Sequence, residues 1–265
     1  MGGSGRSLRV LVALGCFVCT RAFAVDGAPI EISGGPYAPL LTEQLKHWPP
    51  RGLSAKPSEA PDAVPVEIEC YETEGNETLI GTRQLMWIRA PLEAVVGVNE
   101  DFDHYKDIFP GYEDVHVVAR EGNRIDTYWE QYIPIFFIPN VKYEISYFVE
   151  PRRKGRVAYR YQHKSGKDVK FNDGLIVLES FGPKLTRFVE YDFYDADWGI
   201  LKSFGAERIW KTALESVFQS NAGLLLRVER PELSFKQLRE EADRLLEKYP
   251  PMDCWKKRVR WKGYK

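Results

Sequence analysis

The sequence predicts an α+β domain in which a curved antiparallel sheet wraps around one long C-terminal helix. Three observations carry that prediction. From Tyr112 onward, successive segments alternate apolar and polar residues with a period of two, as strands with one buried face do. Residues 203–230 then carry Ile209, Trp210, Ala213, Leu214, Val217, Phe218, Leu224, Leu225 and Val228 at helical spacing, and Pro231 stops the run. Ahead of the sheet, residues 79–111 read as a strand followed by two short helical inserts.

In chain order, residues 25–65 are dense in proline, which blocks regular hydrogen bonding. They read as a surface lead-in with at most one short helix, over residues 38–47. Residues 66–71 and 78–88 are strand-like, joined by a turn in which Gly75 and Asn76 accommodate positive φ. Asn76-Glu77-Thr78 is also an N-glycosylation sequon. Pro91 can open the next helix, because its missing N–H falls among the unpaired donors of the first turn. Leu92, Val95 and Val96 give that helix an apolar side, and Gly111 closes the insert around residues 104–109.

The strands that follow share a phase. Residues 124–133 place Ile125, Trp129, Gln131 and Ile133 on one face; residues 141–149 place Tyr143, Ile145 and Tyr147 there; residues 157–163 add Tyr159, Tyr161 and His163. The alternate positions are mostly charged or polar, so one dry face and one wet face are expected. Pro134 and Pro139 mark a loop between strands. Residues 175–181 and 185–194 complete the sheet, but both of their alternate sets contain apolar residues, which leaves their facing open. Ser234-Phe235-Lys236-Gln237 is a capping box that opens a second helix.

The strand ending in Ala90-Pro91, the helix start after it, the pairs Asp101-Phe102 and Phe109-Pro110, and the closing helix together resemble the START-like helix-grip superfamily, also called SRPBCC, in its polyketide-cyclase/coenzyme Q-binding branch. The resemblance covers a little over half the chain and includes no invariant catalytic motif. It implies a helix-grip domain over residues 66–230, with a space between sheet and helix suited to an apolar ligand. Residues 231–265 follow as a C-terminal helix and a basic, aromatic tail.

With 44% apolar and 28% charged residues, the chain can bury one sizeable core, and a net charge of −1 argues against a nucleic-acid partner held by overall charge. Arg6 and Arg9 precede an apolar run from Val10 to Cys19, and Ala22-Phe23-Ala24 follows as a small-x-small cleavage signature. Residues 1–24 therefore read as a signal peptide, and the mature chain as periplasmic or secreted. Cleavage removes Cys16 and Cys19 and leaves Cys70 and Cys254. In an oxidising compartment these two can pair, or they can stand as separate thiols; sequence alone gives no Cα distance.

The candidate ligand-binding residues are Trp129, Gln131, Tyr143, Tyr147, Tyr159, Tyr161 and His163 on the sheet, under Trp210 and Leu214 of the helix. Hydroxyl-bearing rings can pack a flat apolar body and bind its polar end. The same residues also suit a filled core whose tyrosines reach solvent at the rim. His163 can do acid–base work beside a phenol, or simply end a strand. Glu179, Arg187 and Glu190 read either as a buried polar cluster for a ligand head group or as ordinary charges on the wet face. His104 and His116 with Asp101 and Asp103 make a speculative metal site only. With no phosphate loop, nucleophile elbow or Cys-x-x-Cys in the mature chain, no catalytic residue, metal or cofactor is assigned.

The tail from Cys254 to Lys265 is basic and aromatic, which suits an anionic membrane surface, or equally a final strand pinned by Trp255 and Trp261. The function expected first is an exported, non-enzymatic carrier or sensor of a hydrophobic small molecule such as a lipid, quinone or polyketide-like compound. An enzyme similar to aromatase/cyclases is the second reading. An envelope adaptor with a solid core is the third.

Overall fold

The computed structural model describes residues 36–50, 53, 64–72, 78–109, 111–132, 139–196 and 205–261. Helix α1 (Ala38–Lys46) precedes strands β1 (Glu67–Glu72) and β2 (Ile80–Ile88) and helix α2 (Leu92–Asn99). A 3-10 turn (Phe102–His104) runs into α3 (Tyr105–Ile108). Six strands follow: β3 (Tyr112–Glu121), β4 (Arg124–Gln131), β5 (Val141–Val149), β6 (Arg156–Ser165), β7 (Val169–Ser180) and β8 (Thr186–Ala196). Helices α4 (Ala206–Glu229), α5 (Phe235–Lys248) and α6 (Met252–Lys256) and the short β9 (Val259–Arg260) complete the chain.

The strands form one sheet in the order β3-β4-β5-β6-β7-β8-β2-β1-β9. Every neighbouring pair is antiparallel except β1 with β9. The inner face is the predicted one: Trp129, Tyr143, Tyr147 and Tyr159 are buried in the same cluster as Phe218, Ala222, Leu224 and Leu225 of α4. This is the helix-grip arrangement. α5 starts at the capping box, with Ser234 accepting from the Gln237 backbone N–H, and buries Leu238 and Ala242 in that cluster. Gly223 lets α4 approach α3 closely, since a β-carbon there would lie 2.6 Å from the Ile108 carbonyl oxygen.

The outer face differs from the wet face expected. Over β4 to β6 it stays polar: buried Asp126 accepts from Ser146 Oγ at 2.7 Å and Lys164 Nζ at 2.9 Å. Over β7 and β8 it is apolar, with Leu175, Val177, Val189, Tyr191 and Phe193 buried in one cluster with Leu41 and Leu45 of α1. Both alternate sets of β7 and β8 are apolar because both faces of these central strands are covered. The proline-rich lead-in thus supplies a packing helix.

The tail closes the β1 edge of the sheet, its cystine beside α4 and Trp261 on the outer face. Cys254 is disulfide-bonded to Cys70 of β1, with their Cα atoms 5.3 Å apart. Beyond it β9 pairs with β1, and Trp261 meets Tyr71 and Phe193 edge-on at ring separations of 4.7 and 4.9 Å. Arg258 lies over the rings of Trp255 and Trp210, at 4.7 and 5.5 Å. Up to residue 261 the tail is therefore a pinned strand. Residues 1–24, expected from the sequence to be a signal peptide, Asn76 of the sequon, Pro134 and residues 262–265 lie outside the described residues. Among the described residues, no helix is long and apolar enough to cross a membrane.

Candidate functional site

Between the inner face and the C-terminal half of α4 lies a cavity of about 130 Å³. One wall is aromatic. Trp129 and Tyr143 are near-parallel across the β4–β5 pair, with ring centres 6.3 Å apart, and Tyr105 meets Trp129 edge-on at 5.7 Å. Trp129 Nε1 donates to Thr127 Oγ1 at 2.7 Å, which fixes the indole while keeping its polar atom satisfied. Burial pushes the hydroxyls of Tyr105, Tyr143, Tyr147 and Tyr161 well above the ordinary phenol range. They are neutral hydroxyls at any physiological pH.

The opposite wall is polar, and strand register assembles it. Tyr161 on β6 pairs with Gly174 on β7, which pairs with Asp192 on β8, which pairs with Thr82 on β2. One row along, Tyr159 pairs with Ile176, Ile176 with Glu190 and Glu190 with Gln84. The Tyr161 hydroxyl reaches over Gly174 to both carboxyl groups, 2.9 Å from Glu190 Oε1 and 3.0 Å from Asp192 Oδ1. Gln84 Nε2 donates to Thr82 Oγ1 at 2.7 Å, and Asn221 Nδ2 of α4 donates to Gln84 Oε1 at 3.0 Å. Asn172 also lines the space, with its Oδ1 buried and unpartnered.

Burial, reinforced by the neighbouring Asp192 charge, raises the Glu190 carboxyl to about 8. Burial likewise raises Asp192 to about 7, against the Tyr161 hydrogen bond that favours its ionised form. The two titrate as a pair, and near neutral pH they hold a proton that an exposed carboxyl would have lost.

Of the residues read from the sequence, Trp129, Tyr143, Tyr147 and Tyr161 line the cavity. Tyr159 is buried beside it and donates to Glu100 Oε1 at 2.7 Å, at the end of α2. Gln131 is half-buried, 3.5 Å from the Tyr194 hydroxyl. His163 is half-buried outside the lining, opposite Ile145, with its Nε2 unpartnered. Trp210 and Leu214 do not line it either; they are packed with Cys70, Ile80 and Ile209. The stripe of α4 is buried as the sequence predicts, but only its later turns face the cavity. At ~1.5 Å rise per residue α4 is far longer than the cavity, which lies under Val217, Asn221 and Leu224, two to three turns further on.

Glu190, a candidate head-group residue in the sequence, lines the cavity, and Asp192 beside it is a lining residue that the sequence analysis does not single out. Glu190 was grouped with Glu179 and Arg187, but strand parity separates them. Arg187 and Glu179 pair on the outer face, where the guanidinium also sits 4.8 Å from the Phe181 ring centre. The speculative metal set does not assemble. His104 Nδ1 contacts Asp101, His116 Nδ1 contacts Asp114, and Asp103 accepts from the Val117 backbone N–H. Among the described residues no group of metal-ligating side chains occurs.

The sequence matches no protein-family model and no curated protein. Its structure is similar to solved structures of START-type proteins. The STAR-related lipid transfer protein from Xanthomonas axonopodis is 17% identical, with 68% of this chain and 97% of that chain covered at a TM-score of 0.48. The Zhui aromatase/cyclase from Streptomyces sp. R1128 is 16% identical over 58% of this chain and 96% of that chain, TM-score 0.47. A START superfamily protein from Mycobacterium smegmatis is 14% identical over 57% of this chain and 98% of that chain, TM-score 0.47.

Proposed function

We propose that the chain is an exported binding protein for a small, largely apolar molecule held between the inner face of the sheet and the C-terminal half of α4. The observation that carries this reading is a cavity whose aromatic wall faces the acidic pair Glu190 and Asp192 and one buried polar atom without a hydrogen-bond partner, Asn172 Oδ1. In a solid core such an atom costs about 1–3 kcal/mol, and nearly all are satisfied. The space is compact beside the roughly 300–1,000 Å³ of pockets for drug-sized ligands. It suits a small molecule or one end of a longer one; a lipid, quinone or polyketide-like compound requires the rings to move apart. Support for export comes from the leader pattern of residues 1–24 and from the cystine, a bond that persists in oxidising compartments.

An enzyme of the same fold is a second reading, favoured by the Tyr161–Glu190–Asp192 cluster. A carboxyl pair holding a proton near neutral pH can exchange it with a bound oxygen. Turnover of the extracted ligand separates an enzyme from a carrier.

The test is native mass spectrometry and organic extraction of the protein purified from its own envelope, with Tyr143→Trp as the filling variant. A retained molecule is expected in the wild type, and its loss in a Tyr143→Trp protein that still folds. If the wild type holds no molecule and takes up no neutral apolar dye, and the variant unfolds, the interior is a packed core and the reading fails.

A further inference from the structure

Among the described residues, no cation balances the carboxyl groups of the polar wall. Glu190 and Asp192 project from one strand into the same cavity, two residues apart and joined by one hydroxyl. Burial and neighbouring acids dominate their environment, and among the described residues no lysine, arginine or histidine acts on either. The ionic groups of β7 and β8 that do find partners, Arg187 with Glu179 and Lys170 with Asp195, are other residues. An unpaired pair of acids is a poor way to build a core, because a buried carboxylate needs a cation or several donors.

Several donors at this wall already have acceptors. Asn221 spends both N–H groups on Gln84 Oε1 and the Val217 carbonyl, Gln84 spends one on Thr82 Oγ1, and the Tyr161 hydroxyl is spent on the two carboxyl groups. What remains is the carboxylate oxygens and Asn172 Oδ1, which is buried, 7% exposed as a residue, and unpartnered. A ligand that donates more than one hydrogen bond satisfies these acceptors together. Across the cavity stand the π-faces and edges of Trp129, Tyr143 and Tyr147, surroundings that attract a cation and accommodate an apolar body.

We infer that this wall is the binding site for the ammonium group of a small primary amine whose apolar body lies against the aromatic wall. The ammonium supplies three N–H donors to Glu190, Asp192 and Asn172, and the positive charge that the carboxyl pair lacks. A neutral hydroxyl offers a single donor and no charge. The inference deepens the proposed binding function and rests on it, since it names the chemical class that the cavity takes.

The experiment compares three probes of one shape on the full, disulfide-bonded protein: benzylamine, benzyl alcohol and benzoate, by calorimetry at pH 8. Benzylamine is expected to bind at least ten-fold tighter than benzyl alcohol, with no detectable benzoate binding. The double variant Glu190→Gln/Asp192→Asn is expected to bring benzylamine to the level of the alcohol in a protein that keeps the wild-type near-UV circular dichroism. Because the comparison among probes is made on the wild type, it stands even if the variant does not fold. Equal or tighter binding of the alcohol, with the dye still taken up, overturns the amine and leaves the cavity reading in place; so does a ten-fold preference that survives in the folded double variant. If no probe and no dye binds, both readings fall together.

Discussion

The ring of Tyr161 crosses Gly174 so closely that a β-carbon at position 174 would lie 1.8 Å from its Cζ. The hydroxyl bridge from β6 to the carboxyl groups of β8 therefore depends on the missing side chain of the strand between them. Gly174→Ala is expected to push the ring off its path, at about 1–3 kcal/mol of stability, and to break both hydrogen bonds of the hydroxyl. Denaturant unfolding and the infrared carboxyl bands of Glu190 and Asp192 measure the two effects. Wild-type stability with unchanged bands would refute the close crossing.

The carboxyl pair predicts a sign for the pH dependence of stability. Both folded pKa values, about 8 and about 7, lie above the ordinary carboxylate range of the unfolded chain. Between that range and neutrality the folded state holds protons that the unfolded state has lost, so this contribution falls as pH rises through 7 to 8 and is fully lost above. Unfolding free energy is expected to drop by at least about 1 kcal/mol between pH 5.5 and pH 9. Glu190→Gln should flatten that slope. Tyr161→Phe should steepen or shift it upward, because its hydrogen bond favours the ionised forms. A wild-type profile that rises over this window would contradict the assignment.

What the sequence made legible follows from how many faces each strand buries. β4, β5 and β6 have one dry side over much of their length, so alternation puts Trp129, Tyr143, Tyr147 and Tyr161 on the face that lines the cavity. β8 is covered on both sides. Its Val189, Tyr191 and Phe193 face α1 and Trp261, which leaves Phe188, Glu190, Asp192 and Tyr194 on the cavity side. A reader assuming one wet face assigns the apolar set inward and the acids outward, and so loses the acidic wall. The signal was in the lead-in and tail: Leu41, Leu45 and Trp261 are apolar residues with no place to go except a second covered face. Periodicity likewise gave the stripe of α4 but not where along it the cavity lies, because that is set by which turn of the helix sits over which strand.

The cystine joins β1 to the segment carrying β9 and Trp261, closing a loop with a sequence separation of 184 residues. Reduction, or Cys254→Ser, is expected to lower stability by up to about 5 kcal/mol in the chain-entropy treatment. It should also free the tail for trypsin at Lys256 and Lys257. Non-reducing peptide mapping identifies the bond, and digestion of oxidised and reduced protein under native conditions tests the tail. Equal cleavage in the two forms would show that pairing with β1 and the contacts of Trp261 hold the tail without the bridge.

Leu214 tests the division of α4 into a structural end and a cavity end. Its side chain is fully buried with Cys70, Ile80, Ile209 and Trp210, away from the cavity lining. Leu214→Ala removes three carbons from that cluster and leaves a void, at about 2–5 kcal/mol. Leu224→Ala, by contrast, enlarges the cavity itself. Uptake of a neutral apolar dye, measured well below the unfolding temperature of each variant, is therefore expected to be unchanged in Leu214→Ala and altered in Leu224→Ala, while both unfold earlier than wild type. Loss of dye uptake in a folded Leu214→Ala protein would move the binding space to the N-terminal half of α4, under Trp210, where the stripe alone had suggested it.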